Sequence, residues 1–366
     1  MAELATFALR LTGHRMIEID GSQYSGSGTI VRQAVAFSAL TGQPVHIVHA
    51  RIRRPKPGLR HQHIRVVQAI GELVNGTAEG LSPGSQEIIF RPGTLKTGRR
   101  YRWDIGTAGS TTMLGLGILP VLAFASSFVN VELRGGLFQD CAPSVFHLQH
   151  VMLPLLHRMG LEVELVMERP GYVPRGEGIV RLAVQPVRKP LRHLRIEEPG
   201  MVTRLWGIAL SSHLEKRHVS ERMADAAQEV LGRAGHKADI DVQYEQASLQ
   251  AGAVLALFAD LGEGIRLGAD QAGALRRTAE FIGKHVAKQL LEDMKTGATL
   301  DRFASDQIIP FAALAEGESR FRVAAVTDHL LTNLWLAEKF LGVRGTLNDH
   351  ILSMTGVGFQ RQGLYA

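Results

Sequence analysis

From Ile105 to Val131 the chain carries no charged residue. A run of that length either crosses a bilayer or is buried in a protein as more than one element. Gly115, Gly117, Pro120 and the adjacent Ser126 and Ser127 interrupt it, and no basic flank sets an orientation. Its end, Phe128-Val129-Asn130-Val131-Glu132-Leu133, alternates as a half-buried strand does. The run is therefore a buried helix followed by a buried strand, with no membrane span expected. Both need covering layers, and 366 residues, 45% hydrophobic and 21% charged, can supply them. That composition excludes collagen, coiled coil and disorder. One cysteine, Cys141, excludes a disulfide framework and a cysteine zinc site, and suits a reducing cytoplasm. The opening stretch MAELATFALRLTGHR has no apolar run long enough for a signal peptide.

Around that centre the pattern predicts a strand over Met16–Asp20, a glycine-rich loop over Gly21–Gly28, and a helix from Thr29 closed by Gly42. A strand at Val45–Val48, a helix at Gln62–Leu73 and strands at Ile88–Phe90 and Tyr101–Ile105 follow. After the uncharged run come a helix over Ser144–Met159 and strands at Glu162–Met167 and Gly178–Val184. This rhythm points to an α/β protein with mixed sheets. The proline-bearing stretch Gln185–Arg195 marks a domain boundary. Beyond it are helices at Val219–Ala234, Ala272–Lys295 and Asp328–Gly342, and strands at Ile240–Tyr244, Val254–Ala259, Ser319–Val323 and His350–Met354.

Charge is concentrated. No acid lies between Asp20 and Glu72, yet Arg32, Arg51, Arg53, Arg54, Lys56, Arg60 and Arg65 do, giving +7 against a total of +6. Such a field suits a polyanion, and the prolines and glycine of Arg54-Pro55-Lys56-Pro57-Gly58 stiffen the loop that presents it. The glycine-rich loop lacks the lysine of a P-loop and the spacing of a dinucleotide fingerprint; its helix-start amides could still receive an anion. Near the C-terminus Thr327 or Asp328 is a candidate N-cap, and His329, Thr332 and Asn333 share one polar face behind it. A helix start favours neutral imidazole and attracts phosphate, the conditions for nucleophilic attack by histidine, so His329 is the leading catalytic candidate.

Several segments together resemble the RNA 3′-terminal phosphate cyclase family: Asp20-Gly21-Ser22-Gln23 with Arg32; Arg51 and Arg54 before Lys56-Pro57-Gly58-Leu59; Gln62-His63; Gly106-Thr107-Ala108-Gly109-Ser110-Thr111; Gly135-Gly136 with Ala142-Pro143; Gly171-Tyr172-Val173-Pro174; Asp306-Gln307; and His329-Leu330-Leu331-Thr332-Asn333. The resemblance implies a large domain of three βαβαββ repeats, like the C-terminal domain of initiation factor three, at 1–186 plus 299–366, with a smaller α/β domain inserted at 187–298. It implies ATP-dependent conversion of an RNA 3′-phosphate to a 2′,3′-cyclic phosphate, through AMP carried first on His329 and then on the RNA. A divalent metal, magnesium or manganese, would assist.

On the same resemblance Arg32, Arg51 and Arg54 face the anions, with Lys56 and Gln62 supporting. Phe303, Ala304, Ser305, Asp306 and Gln307 form the nucleotide pocket, in which Phe303 could stack the adenine. No stable protein partner is implied. Three positions depart from the family pattern. Ser25 stands where a glutamate usually lies beside the phosphates and metal, Leu116 replaces a nucleotide-contacting glutamine, and Gly176-Glu177-Gly178 replaces a three-glycine run. Ser25 as metal ligand supplies a hydroxyl but no charge. The alternatives are an altered, RNA-binding relative, for which Ser25 argues, and an enolpyruvyl transferase of the same repeated fold.

Overall fold

A computed structural model describes residues 15–360 apart from 96, 97, 99 and 263; the opening stretch read for a signal peptide lies outside these, except Arg15. The chain starts with β1 (Ile17–Asp20), α1 (Gly28–Thr41), β2 (Val45–Val48), α2 (His61–Val74), β3 (Thr77–Glu79) and β4 (Ile88–Arg91). It continues through β5 (Arg100–Asp104), α3 (Thr111–Leu122), β6 (Val129–Gly135), α4 (Val145–His147), a π turn at Leu148–Met152, α5 (Leu153–Arg158), β7 (Glu162–Arg169), β8 (Gly178–Gln185) and β9 (Arg195–Ile196). Then come β10 (Arg204–Ser212), α6 (Val219–Arg233), β11 (Asp239–Glu245), β12 (Gly252–Asp260), β13 (Arg266–Ala272) and α7 (Ala279–Lys295). The last elements are α8 (Arg302–Leu314), β14 (Glu316–Arg322), α9 (Asp328–Leu341), β15 (Gly345–Asn348) and β16 (Ile351–Val357).

Among the described residues the strands form four four-stranded sheets, and three follow one plan: β1-β2-β4-β3, β5-β6-β8-β7 and β9-β14-β16-β15. In each the first two strands are parallel and the remaining pairings antiparallel. The fourth sheet, β11-β10-β12-β13, lies with α6 and α7 in the chain between β9 and β14. Strand β9, although inside the 187–298 stretch, pairs with β14 and not with that fourth sheet.

The uncharged run resolves as expected. Ser110 caps α3 by accepting from Met113 N at 3.1 Å, and every residue from Thr111 to Leu122 is buried. β6 follows, burying alternate residues. Helix α3 packs against α1, α2 and α8. Among the described residues no helix is long and apolar enough to cross a membrane.

Elsewhere tertiary context overrode local pattern. The helix expected from Ala272 begins at Ala279, because Arg266–Ala272 is β13, paired with β12. Strand β10 was not anticipated: it is buried along nearly its whole length, so alternation is lost. Helix α8 contains Pro310, a helix breaker by local rules. The helix expected over Ser144–Met159 carries the π turn just before Pro154. Proline has no N–H for the His150 carbonyl, and that oxygen accepts from the Arg266 guanidinium at 2.8 Å instead.

Candidate active site

Helix α9 starts with a double tie. Thr327 Oγ1 accepts from Leu330 N at 3.0 Å and donates to Asp306 Oδ1 at 2.5 Å. His329 sits in that first turn, half-buried, with Nδ1 3.0 Å from Thr29 Oγ1 and 3.4 Å from Ser27 Oγ. Burial, then the charges of Arg32 and Arg54, pull its pKa down to about 4 against the opposing Asp328 carboxylate. The imidazole is uncharged at neutral pH. Thr332 and Asn333, expected on a polar face, are fully buried: Thr332 meets the glycine-rich loop and Asn333 meets α8.

Arg32 projects from α1 into this junction. It is 5% exposed, its Nη2 donates to Thr29 Oγ1 at 3.1 Å, and its Nε has no partner. No carboxylate pairs with it among the described residues; burial and the nearby Arg51 and Arg54 lower its pKa to about 9. A buried, uncompensated cation is a costly arrangement that an incoming anion relieves.

The basic loop between β2 and α2 is a fixed structure. Ala50 N donates to Gln86 O at 2.8 Å and Leu59 N to Ser85 O at 2.8 Å. Gly58, at φ +73°, leaves only 2.1 Å between a would-be Cβ and the Gly84 carbonyl oxygen, so no side chain fits. Arg51 is half-buried and braces the loop, donating to Lys56 O at 3.0 Å and to Gly58 O. Arg54 is half-buried; Lys56 is exposed. Behind them His63 is buried and held well below the usual histidine range by burial and by Arg32, Arg51, Arg60 and Arg54. It lies so close to α1 that a Cβ on Gly28 would sit 2.2 Å from its Nε2. Gln62 Oε1 accepts from Ser110 N at 2.8 Å, joining α2 to the cap of α3.

The other wall is α8, capped by Asp301, whose Oδ1 accepts from Phe303 N at 2.9 Å and Ala304 N at 2.8 Å. Ala304, Ser305, Asp306 and Gln307 are buried. Phe303 is half-buried and meets the His147 ring edge-on at 5.9 Å. Asp306 serves α9 through Thr327, and burial pushes its pKa up to about 7. Asn333 Nδ2 donates to Asp306 O at 2.6 Å, while Gln307 Oε1 and Asn333 Oδ1 are buried without partners among the described residues.

Ser25 Oγ accepts from Thr332 Oγ1 at 2.8 Å and lies 3.0 Å from Ser27 Oγ. Among the described residues no three His, Cys, Asp or Glu side chains are grouped to hold a metal. The Ser25 and Ser27 hydroxyls, 3.0 Å apart and without charge, are weak donors for a divalent cation. Leu116 is buried in α3, and Glu177, exposed at φ +55°, gives only its carbonyl, to Arg169. Thr29 and Ser27, the partners of His329, were not singled out from the sequence: they lie about three hundred positions away, and no spacing signals the contact.

A neutral histidine at a helix start, beside a buried arginine with no counter-charge among the described residues, is an arrangement chemically suited to a phosphate anion. A family model described as RNA 3′-terminal phosphate cyclase matches residues 23–347. The chain belongs to the RNA 3′-terminal phosphate cyclase family. Relatives with that name include those of Methanopyrus kandleri (41% identical, covering 90% of this chain and 94% of the relative), Ignicoccus hospitalis (41%, 94% and 100%) and Pyrococcus furiosus (40%, 89% and 94%). Among solved structures, the enolpyruvyl transferase NikO from Streptomyces tendae aligns over 95% of this chain and 52% of its own at 14% identity, with a TM-score of 0.23.

Proposed function

We propose that this protein converts an RNA 3′-phosphate to a 2′,3′-cyclic phosphate at the expense of ATP, with His329 as the nucleophile. The observation that carries the reading is the uncharged His329 imidazole, held through Nδ1 to Thr29 beside Arg32. A proton on Nδ1 shared with Thr29 leaves the Nε2 lone pair free. Nε2 attacks the α-phosphorus of ATP, an N–P bond forms, the bond to the β-phosphate breaks and pyrophosphate leaves. An oxygen of the RNA 3′-phosphate then takes the AMP from nitrogen, regenerating the imidazole. Finally the vicinal 2′-OH attacks the 3′-phosphorus, AMP leaves and the hydroxyl proton passes to solvent. That last step needs ribose, so the substrate is RNA.

Arg32 and Arg54 neutralise the anions. Arg51, Gln62 and Asp306 act by bracing the loop, α3 and α9. Phe303 and Gln307 offer a ring edge and a free acceptor for adenine, with Ala304 and Ser305 forming the α8 floor. Magnesium or manganese would be held chiefly by the nucleotide phosphates and would offset their charge, and Ser25 would offer it a hydroxyl oxygen.

For the architecture, the shared plan of three sheets supports three βαβαββ units with a smaller α/β domain inserted in the third. The pairing of β9 with β14 supports a reading in which the insert begins after β9, at about 197 rather than 187, and runs to about 298. The partner is RNA, with no protein partner inferred, and one free cysteine suits a cytoplasmic location.

The test is incubation with ATP labelled at the α-phosphate, in magnesium and in manganese, followed by denaturation. Acid-labile, alkali-stable label on the protein that is absent from His329→Ala is expected; label persisting in that variant refutes the assignment. One observation favours a second reading, an RNA-binding relative without adenylylation: Ser25 supplies no charge where the family has glutamate. If wild type takes no label in either metal but Ser25→Glu does, the second reading holds.

A further inference from the structure

The basic loop can hold RNA by its phosphates, yet there is no aromatic residue between Phe37 and Phe90 to receive a base. One exposed aromatic stands beside it. Tyr24, in the glycine-rich loop next to Ser25, is 41% exposed and adopts φ +44°. Its ring centre lies 5.5 Å from that of half-buried Trp335, at 42°. Trp335 follows His329 by six positions on α9, about 9 Å along the axis, and follows Thr332, which contacts Ser25, by three. On the other side the Arg53 guanidinium donates to Tyr24 O at 2.9 Å, and its aliphatic stem lies against Gly26.

An aromatic face, backed by Trp335 and fixed at its carbonyl by an arginine, thus borders a cationic loop within one nucleotide's reach of His329. The left-handed backbone at Tyr24 is costly for a bulky residue, and burial offsets it only in part because the residue stays 41% exposed. Phosphate contacts alone let a polyanion slide, whereas stacking of the last base fixes where the end stops.

We propose that Tyr24, backed by Trp335, is the platform on which the base of the RNA's 3′-terminal nucleotide stacks, setting the 3′-phosphate against His329. The proposal rests on the reading of RNA as substrate. Because every base has a π face, the platform takes any of the four.

The experiment measures binding, without ATP, of two oligoribonucleotides ending in a 3′-phosphate, one normal and one whose terminal ribose carries hydrogen in place of its base. The proteins are wild type, Tyr24→Phe and Tyr24→Gly, the last suited to the positive φ so that the loop keeps its path. Expected are preference of wild type for the normal end by roughly tenfold, its retention in Tyr24→Phe, and its loss in Tyr24→Gly with affinity for the baseless end unchanged. Equal weakening of both ligands by Tyr24→Gly, or an undiminished preference, overturns the platform. If wild type lacks the preference but still takes AMP from ATP, the platform alone fails. No RNA binding and no labelling refute the functional reading itself, and the platform with it.

Discussion

Replacing Arg32 by methionine separates what this residue does for function from what it does for stability. Arg32 is buried on α1, donates one hydrogen bond to Thr29, leaves Nε unpartnered and has no counter-charge among the described residues. Its pKa falls from the usual arginine value to about 9. At ~1.4 kcal/mol per pKa unit, holding that charge buried without a counter-ion costs up to about 5 kcal/mol. Methionine keeps most of the aliphatic volume; the lost charge-assisted hydrogen bond returns ~1.5–3 kcal/mol of that gain. The Arg32→Met protein should therefore be more stable than wild type by about 2 kcal/mol in urea unfolding without nucleotide, with an unchanged m-value. Pyrophosphate or ATP should reverse the order. Saturating ligand at about a hundred times its Kd adds ~2.7 kcal/mol to wild type by mass action and little to the variant. Labelling from α-labelled ATP should fall at least a hundredfold. A variant less stable than wild type without ligand, yet still protected by pyrophosphate, would refute the idea that Arg32 is an uncompensated cation awaiting phosphate.

Three further outcomes follow from the geometry. With its pKa depressed to about 4, His329 stays unprotonated as pH falls through the ordinary histidine range; labelling should hold from about pH 8 to about pH 5.5 and decline only below, so a midpoint near 6.5 would contradict the burial argument. Asp306 is raised to about 7, so folding favours its protonated form; the stability this gives is fully present below the ordinary aspartate pKa and is lost as pH rises through about 7, while Asp306→Asn, measured by urea unfolding across that range, should flatten a slope of up to ~4 kcal/mol. Gly28→Ala places a methyl 2.2 Å from buried His63 and should cost ~1–3 kcal/mol, whereas Gly232→Ala, exposed near the end of α6 with nothing within 4 Å, should be neutral or stabilising by up to ~1 kcal/mol; similar thermal unfolding shifts for the two would dismiss close approach as the reason for glycine at 28.

Much of the site was legible because its parts follow local rules. The Thr327 cap and the helix behind it are written in consecutive residues, so His329 could be placed at a helix start from spacing alone. The basic loop was visible as a charge run stiffened by proline and glycine. The uncharged run had to be interior, since nothing in it could face water, and its alternation gave β6. Helix α8 was missed as a helix because Pro310 violates the local rule that its packing overrides, and β10 because burial on both faces erases alternation.

The order of strands and helices, the cap that presents His329 and the unpaired positive charge between Asp20 and Glu72 are properties of the sequence, because each is set by neighbours along the chain. Which side chains meet is another matter. The contact of His329 with Thr29, which sets buried Arg32 beside it, and the meeting of Tyr24 with Trp335 join segments about three hundred positions apart, and Asp306 holds α9 rather than standing free through a bond to Thr327 that spans 21 positions. Only packing α1, α8 and α9 around a common core brings them together, and burial at that junction moves the pKa values that local sequence leaves ordinary.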